Sequence, residues 1–120
     1  MKLLDSNLVI YSAQPTYAFL RPLMSDPNNQ VSHFTMLEVL GFHALIPVDK
    51  TYFESVFAVL DIREISIPIL NQAIALRQMR KMSPGDAIIA ATALHFGSEL
   101  YTRNVSDFDW LTGLTVINPI

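Results

Sequence analysis

Asp5, Glu38, Asp86 and Asp107 are the residues of this 120-residue chain whose types and settings point to chemistry. Asp5 ends the apolar pair Leu3-Leu4, Asp86 stands third after Ser83 in Ser83-Pro84-Gly85-Asp86, and Asp107 closely follows Leu100-Tyr101-Thr102. Glu38 is set among Met36, Leu37, Val39 and Leu40, in an apolar helical face where a carboxylate is costly unless ligated or paired. In a parallel α/β fold, polar residues just beyond the carboxyl ends of strands gather on one edge of the sheet however far apart they are in sequence. Carboxylates held a few ångströms apart repel one another unless a cation neutralises them. The chain has no cysteine, and His33, His43 and His95 share no metal-binding spacing, so any ligands are oxygens. Oxygen ligands favour Mg²⁺ or Mn²⁺, ions that activate water and stabilise charge on a phosphoryl oxygen. Metal-assisted phosphodiester hydrolysis is the chemistry that follows.

Each acid also has a plainer reading. Asp5 can cap the helix that follows it, Asp86 can be the acid of a capping box opened by Ser83, Glu38 can be half-buried against an arginine, and Asp107 can stabilise a polar turn. No one of them decides the case. Ser6 is no triad serine, because the glycine pattern of a hydrolase nucleophile is missing; its hydroxyl is placed to orient Asp5 or a water. Asn104 is a comparable second supporting group. Arg103 suits phosphate better than core packing, and Arg77, Arg80 and Lys81 extend that basic set, although a basic last turn is an ordinary helix feature. His43 and His95 read as core or interface residues. Gly41, Gly85, Gly97 and Gly113 are too scattered for a phosphate-binding loop. Phe34, Phe108 and Trp110 can stack on bases or pack the fold.

The elements that must position these groups are short. Strands are expected at Leu3-Leu4, Gln30 to Ser32, Asp61 to Ser66, Leu100 to Thr102 and Leu114 to Ile117. Helices are expected from Leu8, through Tyr17 to Leu23, from Thr35 to Ala44 with Ser32 or Thr35 as cap and Pro47 as the stop, from Asp49 to Leu60, and from Ile67 to Arg80 with Leu70, Ile74 and Arg77 in register. A last helix opens at Ser83, with Ala87, Ala90 and Ala91 as a small-residue stripe extended by Leu94. Strands alternating with helices favour a parallel α/β sheet, with residues 1–120 as one three-layer domain.

Composition bounds the partners. Half the residues, 51%, are apolar and 16% are charged, enough for a real core. A net charge of −3 argues against a protein that coats nucleic acid through a broad basic field, and leaves room for an enzyme that touches a few phosphates. A mean hydropathy of +0.32 hints at an apolar surface covered by another subunit. The opening Met1-Lys2-Leu3-Leu4-Asp5 is unlike a signal peptide, and a cytoplasmic protein is expected.

The acids also stand in a known pattern. Leu3 to Tyr11, Thr35 to Gly41, Ser83 to Leu94 and Thr102 to Phe108 each carry one acid, and Leu114 to Pro119 ends the series. In order and spacing the chain resembles PIN-domain proteins of the virulence-associated protein C type, the toxin half of toxin–antitoxin pairs, over essentially its whole length. The resemblance implies a PIN-like α/β domain with a central, mostly parallel sheet flanked by helices. It further implies a Mg²⁺- or Mn²⁺-dependent endoribonuclease with Asp5, Glu38, Asp86 and Asp107 around the ion, Ser6 and Asn104 in support, and Arg103, Arg77 and Lys81 on RNA. A homodimer and a small antitoxin whose tail covers the active-site groove are implied as partners. The rival reading is a catalytically silent RNA- or protein-binding module of the same fold; a small phosphomonoesterase is a weaker one.

Overall fold

Adjacent strand residues point to opposite faces of a sheet, and Leu3 and Leu4 divide accordingly. Leu3 packs with Ile69, Ala73, Ala90, Leu100 and Phe108 on one side, and Leu4 with Leu8, Val31, Val39, Phe53 and Phe57 on the other. The sheet between these two cores was described from a computed structural model of residues 1–120. Its strands are β1 (Lys2–Leu4), β2 (Gln30–Ser32), β3 (Asp61–Arg63), β4 (Glu99–Tyr101) and β5 (Val116–Ile117), in the order β3-β2-β1-β4-β5. Every pairing is parallel, as the alternation of short strands with helices predicts.

The crossovers fix which helices cover which face. Between β1 and β2 come α1 (Ser6–Ser12), a 3-10 turn at Pro15–Leu20 and α2 (Arg21–Met24); between β2 and β3 come α3 (His33–Leu40) and α4 (Pro47–Val59). All bury their apolar side against Leu4. The chain then returns across the sheet through α5 (Ile67–Met79) and α6 (Pro84–Phe96), which pack against Leu3. β1 is therefore the strand from which the chain winds one way and later the other.

Local chemistry sets the helix ends; it decides between the two cap candidates of α3 and overturns the reading of Pro47 as a stop. Ser32, not Thr35, caps α3, its hydroxyl accepting from the Phe34 N–H at 3.1 Å. Pro47 does not stop a helix; it opens α4, because a residue without an N–H costs nothing in the first turn. On α5 the residues in register at Leu70, Ile74 and Arg77 face outward, while Ile69, Ala73 and Leu76 are buried. Both faces of α5 are apolar, so period alone does not choose between them. His43 and His95 are exposed rather than in the core, each ring edge-on to its neighbour, Phe42 or Phe96.

The start of α6 forms as its sequence indicates. The Ser83 hydroxyl accepts from the Asp86 N–H at 3.1 Å and Pro84 occupies the first turn. Ala87, Ala90 and Ala91 are wholly buried, letting the helix lie close on the sheet. Gly85 serves a second approach: a Cβ there would sit 2.6 Å from Cε1 of Phe34. The absent side chain is what lets the α3 ring lie on the first turn of α6.

Candidate active site

β1 and β4 are neighbours whose following segments leave on different courses, and such a switch point opens a crevice beyond the carboxyl ends of the strands. The register Leu4↔Tyr101 puts the next residues, Asp5 and Thr102, side by side in it. The Asp5 N–H donates to the Tyr101 carbonyl at 2.9 Å. One Asp5 carboxylate oxygen, Oδ1, accepts from the Ser6 N–H and the other, Oδ2, from the Thr102 hydroxyl, both at 2.8 Å. Asp5 caps α1, as its plainer reading held, and at the same time presents a buried carboxylate to the crevice.

The other acids reach it from three further segments. α6 precedes β4 and runs antiparallel to the strands, so its first turn, with Asp86, lies at their carboxyl end. Glu38 is four residues after Phe34 and therefore shares its face of α3; the ring resting on Gly85 draws Glu38 toward Asp86. Glu38 is exposed and has no arginine partner, since the only ion pair in the molecule is Arg63–Asp61, which removes the half-buried, arginine-paired alternative. Asp107 closes the 3-10 turn Val105–Asp107 that follows β4.

The electrostatics bind the four into one group. Burial pushes the Asp5 carboxyl from 3.8 to about 6, against the pull of the Thr102 and Ser6 hydrogen bonds, and the charges of Asp86 and Glu38 push it further up. The Asp86 carboxyl is raised by burial, then by Asp107 and Glu38. Every acid thus feels at least one other. No three of the molecule's acidic or imidazole side chains close into a tight ligand cage, however. The group is an open ring of like charges.

Hydroxyls orient this ring. Ser6 Oγ is 2.7 Å from Glu38 Oε1 and 3.0 Å from Thr35 Oγ1. An ionised carboxylate only accepts, so Ser6 gives its one proton to Glu38 and Thr35 gives its own to Ser6. Thr102, fully buried, likewise spends its proton on Asp5 while its oxygen accepts from the Asn104 N–H at 3.0 Å and from Asn7 Nδ2 at 3.4 Å. Asn7 must therefore turn its amide nitrogen to Thr102, and its buried Oδ1 is left without a partner.

The supporting residues are placed as follows. Ser6 orients Glu38 rather than Asp5 through its side chain, and Asn104 acts through its backbone, its own side chain being exposed. Arg103 lies over Tyr11, 4.9 Å from the ring centroid, and donates to the Tyr17 hydroxyl at 3.2 Å. Arg77 donates from Nε to the Met82 carbonyl at 3.0 Å, so part of its guanidinium ties α5 to α6. With Arg80 and Lys81 it still lines a groove of about 490 Å³ that contains Asp86 and Asp107. Phe108 is fully buried and offers no base a surface; Phe34 packs on Gly85. Thr35, Thr102 and Asn7 were not singled out as site residues by the sequence reading. The signal for Thr102 was its position, one residue past β4 as Asp5 is one past β1.

Neither a protein-family model nor a curated protein matches the chain. Solved structures do. A chain of a toxin–antitoxin complex from Klebsiella pneumoniae is 31% identical, with a TM-score of 0.82, over 100% of this chain and 98% of that one. FitAcB from Neisseria gonorrhoeae superposes with a TM-score of 0.77 at 22% identity, covering 99% of this chain and 98% of the other. DNA-bound VapBC from Salmonella typhimurium gives 0.81 at 18% identity, covering 97% and 96%. The last two share the fold; the first, at its identity and coverage, shows kinship as well. The chain belongs to the PIN-domain toxins of the virulence-associated protein C type.

Proposed function

We propose that this protein is a Mg²⁺- or Mn²⁺-dependent endoribonuclease and the toxin of a type II toxin–antitoxin pair. The observation that carries the reading is the ring of Asp5, Glu38, Asp86 and Asp107 at the β1–β4 switch point, mutually repulsive and with Asp5 driven toward protonation. A buried carboxylate held against such cost fits a cation. Mg²⁺ keeps several waters and takes one or two carboxylates directly, so it does not require three ligands to close around it. Asp5 and Asp86 would hold it, with Glu38 and Asp107 meeting its waters. A bound ion supplies water activation and charge neutralisation at the phosphoryl oxygens.

The chain's own groups do the rest. Thr102 and Ser6 N–H keep the Asp5 carboxylate fixed, and the Thr35–Ser6 relay keeps Glu38 aimed to accept a proton from the attacking water. Hydrolysis forms one P–O bond to that water and breaks one to a ribose oxygen, leaving a phosphomonoester and an alcohol. Arg77, Lys81 and Arg103 hold flanking phosphates. The partner in this reading is a small antitoxin, supported by the 31% identity to a chain of the Klebsiella toxin–antitoxin complex. An apolar groove of about 460 Å³ between Ile10, Val39, Phe42, Leu45 and Phe53 opens beside Glu38, so a segment seated there reaches the acids. Exposed Ile67, Leu70 and Ile74 on α5 give a homodimer an apolar face. No helix is long and apolar enough to cross a membrane, and we assign the protein to the cytoplasm.

The test is cleavage of a panel of structured and single-stranded RNAs by the antitoxin-free chain, with Mg²⁺, Mn²⁺ or chelator, beside Asp5→Asn. Metal-dependent cutting by the native chain alone is expected. Folded, ion-binding protein that cuts nothing in the panel would leave the silent binding module as the better reading.

A further inference from the structure

The groove beside Asp86 and Asp107 holds more than phosphate-binding cations. It is lined by Arg77, Arg80, Lys81, Ser83 and Ser106, and it includes the chain's single tryptophan, Trp110. The indole is pinned: its Nε1–H donates to the Asp107 carbonyl at 3.0 Å. Its ring is half-buried, and the Arg80 guanidinium lies 5.0 Å from its centroid. Thus a flat, positively charged group already rests on a rigid aromatic plate, in a concave site with room for one nucleotide, next to two of the acids.

We propose that this groove is a nucleotide subsite for single-stranded RNA, in which Trp110 stacks on the base flanking the cleaved phosphate. A base is a planar partner of much the same thickness as a guanidinium, so it replaces Arg80 on the ring. The freed Arg80, with Lys81, then meets the adjacent phosphate. Stacking is tolerant of base identity because every base has a π face, and it requires the base to be unpaired, which selects single strands over duplex. The aromatic plate together with three cations favours a nucleic acid over an acidic peptide, for which the cations alone would suffice. This subsite rests on the endoribonuclease reading, but its test does not require cleavage.

Because Trp110 is the only tryptophan, its fluorescence reports this groove alone. The full antitoxin-free chain, in chelator at low salt, is titrated with end-labelled penta-adenylate, penta-uridylate, a duplex RNA, inorganic phosphate and poly-glutamate. Tryptophan emission reports stacking, and anisotropy of the labelled RNAs reports binding. Both single strands are expected to quench Trp110 and the other three to leave it nearly unchanged. Trp110→Leu should weaken single-strand binding about 10-fold, and Trp110→Phe should restore most of it. Arg80→Gln should flatten the salt dependence of binding by roughly 0.7 in log–log slope. Single-strand binding without quenching, equal quenching by duplex or poly-glutamate, or unchanged affinity in a folded Trp110→Leu chain would each overturn the subsite. Quenching by RNA in a chain that never cuts with Mg²⁺ or Mn²⁺ would support the subsite while refuting the nuclease.

Discussion

Asp5→Asn should remove cleavage and, at neutral pH without divalent ions, make the protein more stable. The folded Asp5 carboxyl sits at about 6 against an ordinary 3.8, burial being the main cause. A raised acid binds its proton more tightly in the folded chain, so its contribution to stability is complete below 3.8 and is lost as pH rises through about 6. At 1.36 kcal/mol per unit, that gap amounts to ~3 kcal/mol by pH 7.5. Asparagine never ionises and escapes this loss. It keeps one carbonyl for two donors, Ser6 N–H and the Thr102 hydroxyl, and forfeits one hydrogen bond worth about 1 kcal/mol. The profiles should therefore cross: native more stable by ~1 kcal/mol near pH 3, the variant by ~2 kcal/mol at pH 7.5. Urea unfolding in chelator across that range measures both, and at roughly 3–5 °C per kcal/mol for a chain of this size a melting scan shows the same reversal. Parallel profiles, or a variant that is the weaker protein at every pH, would refute the assignment of a buried, unneutralised charge to Asp5.

Adding Mg²⁺ or Mn²⁺ at neutral pH should raise the melting temperature of the native chain, by RT ln(1 + [ion]/Kd), and leave Asp5→Asn and Asp86→Asn nearly unmoved; differential scanning fluorimetry with an ion series checks it. Thr102→Val keeps the buried shape but deletes the hydrogen bond to a charged carboxylate, worth ~1.5–3 kcal/mol, so the Asp5 pKa should rise by about 1–2 units more. Carboxyl ¹³C titration by NMR reads that shift. Gly85→Ala forces a methyl group to within 2.6 Å of the Phe34 ring, and about 1–3 kcal/mol of stability should be lost. Pairing it with Phe34→Leu in a denaturant double-mutant cycle should recover much of that loss; no recovery would place the strain elsewhere. Ser83→Ala should cost ~1 kcal/mol through the lost cap of α6.

What the sequence disclosed depended on how local each cause was. The α6 start was legible because Ser83, Pro84 and Asp86 specify it among themselves, and β2 was legible because turn residues bound it on one side and a cap on the other. The acids were visible as polar residues where apolar strands stop. Thr102 escaped because its role depends on β1 pairing with β4, a contact between residues 97 apart that no window contains. Gly85 passed for an ordinary cap residue because its meaning lies in the Phe34 ring of another helix. The spacing of Leu70 and Ile74 did not say which face of α5 is buried, because apolar residues stand on both, and only packing on the sheet selects Ile69, Ala73 and Leu76. Pro47 carries one signal with two meanings, an end or a beginning, and the residues after it settle which.

The place of β1 in the sheet has a consequence for how the protein is made. The central strand β1 leaves the ribosome before the other four, and its partner beside the crevice, β4, with the Thr102 that holds Asp5, comes fourth. Asp86 and Asp107 are late as well. A nascent chain can dock α1 to α4 on one half of the sheet and still have no crevice, since the switch point does not exist until β4 is inserted beside β1. Synthesis therefore keeps the four acids unassembled until β4 and the turn through Asp107 have emerged, and a product that stops short of β4 carries Asp5 and Glu38 without the strand that completes their site. Assembly of the four acids is thus gated by topology.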